Sequence, residues 1–497
     1  MPMSIIHRVA RNTFAMFLSN ILSLILGFAY AAYSARYLGP DRYGIIGTAL
    51  ALTSLFGFFL DLGLGQLMVR EVARNKSLAL KYAGNIAAIK LLLTGLTFGI
   101  IVLTVNLLGY PDATKHVVYI ITLSIIINTF SSLINSLFQA LEKIVYISVY
   151  TALNSALMLA GAYVAIREGW SVIGFAFIYL SASVICFAYS LSMLSWKFFR
   201  PTLKADIKFW RPALQEASSF GLTALFVSIY YWLAPVMLSS MKGNEAVGWY
   251  NAAFRLFLIL LILPSILNMS LYPLMSRFYV TAVDSLRLAY EKYFKYMAIL
   301  AIPIAIGTTL LADRIIDLIF GKAFSNSAIA LRILVWSSVF IFLGNAPNRL
   351  LEASNKQFTL TKITGICAAM NVILNLALIP RYSFVGTSFS SLITELVAML
   401  LGYISCVKLG HSLTSGAIYG IIKIIIASFL MGLFIILLRD LNLLVLISLS
   451  ALFYFIMLYL LGGFDTKDIE MLKDLLNFIL CRKKADQPAE GIARDPR

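Results

Sequence analysis

The chain predicts an all-α polytopic membrane protein of 14 transmembrane helices: two parallel-related six-helix lobes followed by two further helices. Three observations lead there. Apolar runs fill the chain almost end to end, the loops between them alternate between rich and poor in Lys and Arg, and the first six runs echo in the next six. Of the 497 residues, 60% are hydrophobic and 13% charged, and the mean hydropathy is +0.88. Soluble proteins are about a quarter charged, so most of this surface must meet hydrocarbon.

An α-helix needs about 20 apolar residues to cross a hydrocarbon core roughly 30 Å thick. By run length and periodicity the first lobe is read at 14–37, 45–68, 83–108, 117–140, 145–166 and 171–195. The second is read at 217–240, 247–275, 294–311, 328–350, 359–380 and 385–407, and the extra pair at 416–438 and 441–462. The corresponding units are 1–211, 212–411, 412–464 and a tail, 465–497, that opens as an amphipathic helix and ends polar. Arg482-Lys-Lys484 in that tail suits anionic headgroups. The opening run of about 24 residues exceeds the 7–15 of a signal peptide's apolar region, so it reads as a retained helix.

The net charge of +17 invites a nucleic-acid reading, and the placement of the cations removes it. The loops on the side of the N-terminus and the tail hold 28 of the 40 Lys and Arg, the other side holds 10, and Lys90 and Arg255 lie inside helices. That asymmetry is the positive-inside signature, and it puts both termini in the cytoplasm of a multi-pass cell-membrane protein. Cys186, Cys367, Cys406 and Cys481 have neither metal-ligand nor CxxC spacing, so no disulfide, metal or cofactor is expected.

The repeat is visible in short stretches. Asn135-Ser-Leu-Phe-Gln-Ala-Leu-Glu-Lys143 matches Asn348-Arg-Leu-Leu-Glu-Ala-Ser-Asn-Lys356, Val172-Ile-Gly174 matches Phe384-Val-Gly386, and Tyr43-Gly44 matches Val247-Gly248. An offset of six helices keeps the two copies in one orientation, related by an axis along the membrane normal, which is a transporter architecture.

Arg36-Tyr-Leu-Gly-Pro-Asp-Arg-Tyr-Gly44, Leu60-Asp-Leu-Gly-Leu-Gly65 and Val69-Arg-Glu71 resemble the N-terminal signature of prokaryotic polysaccharide flippases, the O-antigen-flippase-like branch of the multidrug/oligosaccharidyl-lipid/polysaccharide superfamily. Val247-Gly-Trp-Tyr-Asn-Ala-Ala-Phe-Arg255 and Phe320-Gly-Lys-Ala-Phe324 are similar to the second-lobe patterns. The resemblance implies a MATE-like fold and alternating-access translocation of a polyprenyl-(pyro)phosphate-linked oligosaccharide to the outer leaflet, for cell-surface polysaccharide or glycoprotein biosynthesis. Membrane lipids, H+ or Na+ as coupling ion, and envelope polysaccharide assembly proteins are the implied partners. The carrier, undecaprenyl or dolichyl, stays open.

Candidate site residues follow in helix order. The first helix carries Asn20, Ser23, Gly27, Tyr30 and Ser34 as one polar stripe, placed on the cleft, with Arg36 at its end as a cleft residue or an interfacial anchor. Asp61 and Lys90 each lie nine residues from a basic loop residue, about 13 Å deep on neighbouring antiparallel helices. Two readings are open for them. They neutralise one another, or Asp61, with Gly57 and Gly65 a turn away, faces the cleft as a coupling group. The fourth helix has a similar stripe, Asn128, Ser132, Asn135 and Gln139, read as packing.

Tyr231 and Trp232 of the seventh helix could stack on sugar rings. Arg255, with Asn251 one turn before it, suits a phosphate because a guanidinium donates two parallel hydrogen bonds and stays charged. The alternative for Arg255 is a structural pair with Glu395. Pro264 and Pro273 are candidate hinges, and Pro303 and Pro347 are further candidate kinks.

No nucleophile–base pair or phosphate-cradling glycine loop is present, so the chain is not read as an enzyme. The rival is a MATE-type exporter of drugs or small cations driven by a cation gradient, which would want a net acidic cleft. A non-transporting scaffold would leave the buried charges without purpose.

Overall fold

The computed structural model describes residues 3–281 and 283–464, with the side chains of 3–15, 17, 219, 220, 222–224, 266, 269–274, 280, 281, 283 and 284 outside the description. The expected tail helix and the Arg482-Lys-Lys484 cluster therefore lie outside the described residues. All regular structure in the described residues is helical. The first half comprises α1 (Met3–Gly57), α2 (Leu64–Arg74), α3 (Ala79–Leu107), α4 (Asp112–Ala140), α5 (Ile144–Arg167) and α6 (Val172–Lys197). The second comprises α7 (Ile207–Lys242), α8 (Asn244–Leu260), α9 (Ile262–Thr281), α10 (Val283–Ile319), α11 (Ser327–Ala353) and α12 (Gln357–Lys408), followed by α13 (Ser415–Leu437) and α14 (Leu443–Leu460).

Among the described residues, eleven helices are long and apolar enough to cross a membrane, so the chain is a multi-pass membrane protein. Two of them, Leu18–Leu60 and Gln357–Lys408, run to 43 and 52 residues. At 1.5 Å per residue either exceeds about 60 Å, twice the hydrocarbon thickness. Each is kinked, at Gly39 (φ 74°) and at Ser383 (φ 51°). The kinks lie beside Pro40 and just after Pro380, where a missing N–H and a crowding ring break the ladder of hydrogen bonds. The loops expected at 38–44 and 381–384 are therefore tight bends rather than connections. Fourteen crossings remains the expectation from the sequence.

Two expected helices are interrupted. The span read at 45–68 stops at Gly57, makes one 3-10 turn, unwinds through Leu62 (φ 49°) and Gly63 (φ 85°), and restarts as α2. Asp61 is therefore in a break rather than on a helix face. Both its carboxylate oxygens accept from the Gly65 N–H at 3.3 Å, satisfying a donor that the restarting helix would otherwise leave orphaned.

The span read at 247–275 divides at Leu261 into α8 and α9. Pro264, three residues on, offers no N–H to the Leu260 carbonyl and crowds it. Pro273 lies within the unbroken α9, Pro303 within α10 and Pro347 within α11. The two breaks occupy equivalent places: Gly57 and Leu261 are separated by the same 204 residues as Gly44 and Gly248.

The internal repeat becomes a contact at the face opposite the N-terminus. Built onto Gly44, a Cβ would overlap the Asn244 carbonyl; built onto Gly248, it would overlap the Pro40 carbonyl. These are one contact seen twice, since Pro40 and Gly44 map onto Asn244 and Gly248 under the same offset. Close by, a Cβ on Gly47 would overlap the Asn251 amide, its own repeat partner. Thr48 Oγ1 donates to Asn244 Oδ1 at 3.0 Å, and Asn244 Nδ2 donates to Thr114 Oγ1 at 3.2 Å.

Lipid offers no hydrophobic drive for two helices to meet, so close backbone approach through small residues is the usual basis of such a contact. The cores agree. One apolar cluster, including Leu52, Val117, Phe175, Val247, Phe257 and Phe324, joins both halves at this face. Toward the other face, one cluster around Leu67 and Phe138 takes in Ala213 and Ala217 of α7, and another around Tyr293 and Phe342 stays within the second half, with α13 and α14.

Gly248→Val should force the two halves apart where they meet, at a cost of about 1–3 kcal/mol from overpacking. In a Thr48→Cys background, where position 48 is fully buried, the added substitution is expected to raise labelling by a membrane-impermeant maleimide several-fold. Unchanged labelling would show that this glycine contact does not hold the face closed.

Candidate functional site

Just beneath the glycine contact the halves enclose a chamber of about 80 Å3. Tyr30 and Tyr43 of α1 and Tyr179 of α6 form its first-half wall; Trp232 of α7 and Asn251, Phe254 and Arg255 of α8 form the other. Asn251 and Arg255 are one helical turn apart, so the approach of α8 to Gly44 and Gly47 delivers both inward together. The Arg255 guanidinium faces the Tyr43 hydroxyl and sits in the field of Tyr179 and Tyr30. The Tyr30 and Tyr179 rings meet edge to face at 5.9 Å.

No carboxylate lines the chamber, and no acid pairs with Arg255 among the described residues. Neighbouring hydroxyls can accept from its five donors without cancelling its charge. A permanent cation in a low-dielectric enclosure with only neutral acceptors is built to receive an anion.

Four residues expected in the cleft, Arg255, Asn251, Tyr30 and Trp232, meet there. Tyr231 points instead into neighbouring compartments of the second half, shared with Tyr230 and Glu395. Arg36 stands outside the chamber. Its Nε donates to the Ile319 carbonyl at 2.9 Å and a terminal nitrogen to that of Leu318, so the guanidinium caps the C-terminus of α10 and ties the halves at the rim. Asn20 is exposed, because the α1 stripe turns outward before it reaches that level. In α4, Asn128 accepts from Tyr150 at 3.2 Å, a packing bond to α5.

Tyr43 and Tyr179 were not singled out from the sequence. Tyr43 lay inside a motif noted for its glycine, and Tyr179 sits in an otherwise apolar helix where one hydroxyl gives no pattern.

The remaining buried charges are paired or bonded elsewhere. Lys90 Nζ lies 2.5 Å from Asp61 Oδ1, with Lys90 1% exposed and the Asp61 side chain 41% exposed. Mutual neutralisation is thus the arrangement present, and the break at Asp61 is what turns its carboxylate toward α3. The alternative pairing of Arg255 with Glu395 does not form. Glu395 of α12 accepts from the Tyr230 hydroxyl at 2.5 Å, and Tyr230 belongs to α7.

Toward the N-terminal face, α2 and α7 close over the entrance. Arg70 pairs with Glu216 across the halves and, at 2.8 Å, with its neighbour Glu71. A Cβ on Gly221 would sit 2.9 Å from the Leu62 carbonyl. No group of three or more His, Cys, Asp or Glu suited to a metal occurs among the described residues.

Fold and chamber define a two-lobed helical membrane protein of transporter architecture. The chain belongs to the polysaccharide biosynthesis protein family, which matches residues 9–279; the MatE family matches residues 220–377. Among curated relatives, a probable low-salt glycan biosynthesis flippase of Haloferax volcanii is 21% identical over 79% of this chain and 82% of its own length. The capsular polysaccharide biosynthesis protein CapF of Staphylococcus aureus is 23% identical over 80% of this chain and 98% of its own length. Among solved structures, the lipid II flippase MurJ in an inward closed conformation superposes with a TM-score of 0.74 at 18% identity, covering 90% of this chain and 98% of that one. An inward-facing multidrug resistance MATE transporter superposes at 0.65 and 16% identity over 78% of this chain and 95% of its own. The resemblance carried by the 36–44 and 247–255 motifs therefore holds at the level of family and fold.

Removing Asp61 would strand a buried ammonium. Breaking fully buried pairs costs about 3–5 kcal/mol, and the half-exposed carboxylate brings the expected loss for Asp61→Asn nearer to 2 kcal/mol. The Asp61→Asn/Lys90→Met double variant should recover most of it. Thermal unfolding of the detergent-solubilised single and double variants measures the coupling, and purely additive losses would contradict a direct pair.

Proposed function

We propose that the protein is a flippase that carries a polyprenyl-(pyro)phosphate-linked oligosaccharide from the cytoplasmic to the outer leaflet by alternating access. The observation that carries this reading is Arg255, a cation without an acidic partner enclosed between the two halves. Holding an uncompensated charge in a membrane protein costs about 2.5–3.5 kcal/mol or more, and a visiting phosphate offsets it. Membership of the polysaccharide biosynthesis family and the flippase relatives support the same cargo. The Lys and Arg asymmetry supports a cytoplasmic N-terminal face and cytoplasmic termini in the cell membrane.

In this reading the described state is closed on the outer side by Gly44 and Gly248 and latched on the cytoplasmic side by Arg70 and Glu216. The headgroup enters when α2 and α7 part, its phosphates taking Arg255 and Asn251 while the polyprenyl tail stays in the bilayer. Occupancy can drive the outward state only if that state binds the headgroup better than the inward one, which requires the charge at Arg255 in both. The broken helices at Gly57–Gly63 and Leu261–Pro264 are the hinges. With Asp61 committed to Lys90, Glu395 is the carboxylate left to exchange H+ or Na+. An exporter of cations would need the opposite sign in the chamber.

Arg255→Ala is expected to lower transbilayer movement of undecaprenyl-pyrophosphate-linked saccharide in proteoliposomes by about tenfold or more, equivalent to the ~1.5–3 kcal/mol of one charge-assisted bond. Arg255→Lys, which keeps the charge but not the fork, should fall between. Wild-type flipping by Arg255→Ala, with the protein folded and inserted, would remove Arg255 from the mechanism and the reading with it.

A further inference from the structure

The second half contains a cavity of about 320 Å3 of its own, where α7, α11 and both arms of α12 meet. That volume is at the lower end of the roughly 300–1,000 Å3 typical of small-molecule sites. Its charge differs from that of the Arg255 chamber. Arg349 donates to Glu352 at 2.5 Å, which cancels that pair and leaves Glu395 as the net charge of the lining. A phosphate is disfavoured here.

The unused hydrogen-bonding capacity comes from two neutral groups and one carboxylate oxygen. Tyr231 and Asn348 line the cavity and their side chains make no hydrogen bond among the described residues, and Glu395 has a second oxygen beyond the one that accepts from Tyr230. Buried polar groups are nearly always satisfied, so groups held open toward one cavity imply a ligand or water that completes them. The Tyr230 and Tyr231 rings stand edge to face at 5.2 Å, presenting two perpendicular apolar faces beside those polar groups.

A saccharide meets all of these demands. Its hydroxyls both donate and accept, answering the Asn348 amide, the Tyr231 hydroxyl and the Glu395 oxygen together, and its C–H faces lie against aromatic rings. An organic cation would satisfy Glu395 and the rings but would leave the donors of Asn348 and Tyr231 unanswered.

The cavity also sits where a sugar attached to a phosphate would reach. A small compartment of about 20 Å3 shares Phe254 with the Arg255 chamber and Tyr231 and Glu395 with this cavity, so the two are neighbours through one constriction. We propose that the cavity is a carbohydrate subsite that receives sugar of the lipid-linked saccharide through Tyr231 and Asn348, while Arg255 holds the phosphates. The proposal rests on the flippase reading and adds a division of the headgroup by charge: the phosphates in the cationic chamber, the neutral glycan in the acidic cavity.

The test uses the full chain in nanodiscs with two probes. Undecaprenyl pyrophosphate, bearing no sugar, is titrated by native mass spectrometry. A panel of methyl glycosides (glucoside, galactoside, mannoside and N-acetylglucosaminide) is screened by saturation-transfer NMR. Tyr231→Phe and Asn348→Ala are expected to weaken at least one glycoside about fivefold each, as losing one neutral hydrogen bond would, with undecaprenyl pyrophosphate affinity within about twofold of wild type. Arg255→Ala should do the reverse, and melting temperatures near that of wild type exclude misfolding.

If no glycoside contacts the wild type, or contact is insensitive to both variants, while undecaprenyl pyrophosphate still binds through Arg255, the subsite is overturned and the flippase reading stands. Binding of tetraphenylphosphonium that is lost in Glu395→Gln, in place of glycoside binding, also overturns it. Failure of undecaprenyl pyrophosphate to bind at all sinks the flippase reading instead.

Discussion

Two glycines and the carbonyls they meet hold this architecture together. Because Gly44 and Gly248 carry no Cβ, the backbones of α1 and α8 touch across the repeat axis, and every feature of the chamber follows from that approach. It places Tyr43 against Arg255, sets Gly47 against Asn251, and buries the Asn244 side chain between Thr48 and Thr114. In a bilayer, where apolar side chains gain little by leaving lipid for one another, such backbone proximity and its attendant hydrogen bonds are what is available to join two lobes. The interface also includes a capped helix end at Arg36, an ion pair at Arg70, a Tyr110–Ser239 hydrogen bond and one glycine against an unwound loop.

The buried charges divide according to what surrounds each. Lys90 is neutralised within the first half by a carboxylate that a helix break turns toward it. Glu395 is bonded within the second half by a tyrosine on a neighbouring helix. Arg255 faces the chamber between the halves, with hydroxyls beside it and no acid paired to it among the described residues. Lys90 and Glu395 are each bonded inside one half, whereas Arg70 and Glu216 pair across the two. In the proposed reading, this placement favours a lipid-phosphate carrier over a cation exporter more sharply than counting acids and bases in the helices, where the two signs balance.

Much of this was legible in the sequence, for physical reasons. Membrane helices announce themselves by length and by loop charge, and a repeat with an even helix offset fixes the relation of the halves. Arg255, Asn251, Tyr30 and Trp232 were accessible because polar groups in apolar helices must face protein or water. What was not legible depended on departures from regular helix. Asp61 was placed on a helix face, whereas Leu62 and Gly63 at positive φ put it in a break. Arg36 was a candidate because cations near a cleft attract attention, yet the free carbonyls at the end of α10 claim it. Tyr43 and Tyr179 needed the third dimension, since nothing in their own helices marks them. Likewise the second-half cavity draws on four separated segments that no linear pattern connects.

The central claim is that α2 and α7 part, with the glycine contact closed, to expose Arg255, and come together again to enclose it. Spin labels at Asn75 and Gln215, exposed near the ends of α2 and α7, report that motion by pulsed dipolar distance measurement in nanodiscs. Titration with undecaprenyl pyrophosphate should move population between a short and a distinctly longer separation, and Arg255→Ala should abolish the response. A single distance distribution, unaltered by the lipid and identical in the variant, would contradict the account.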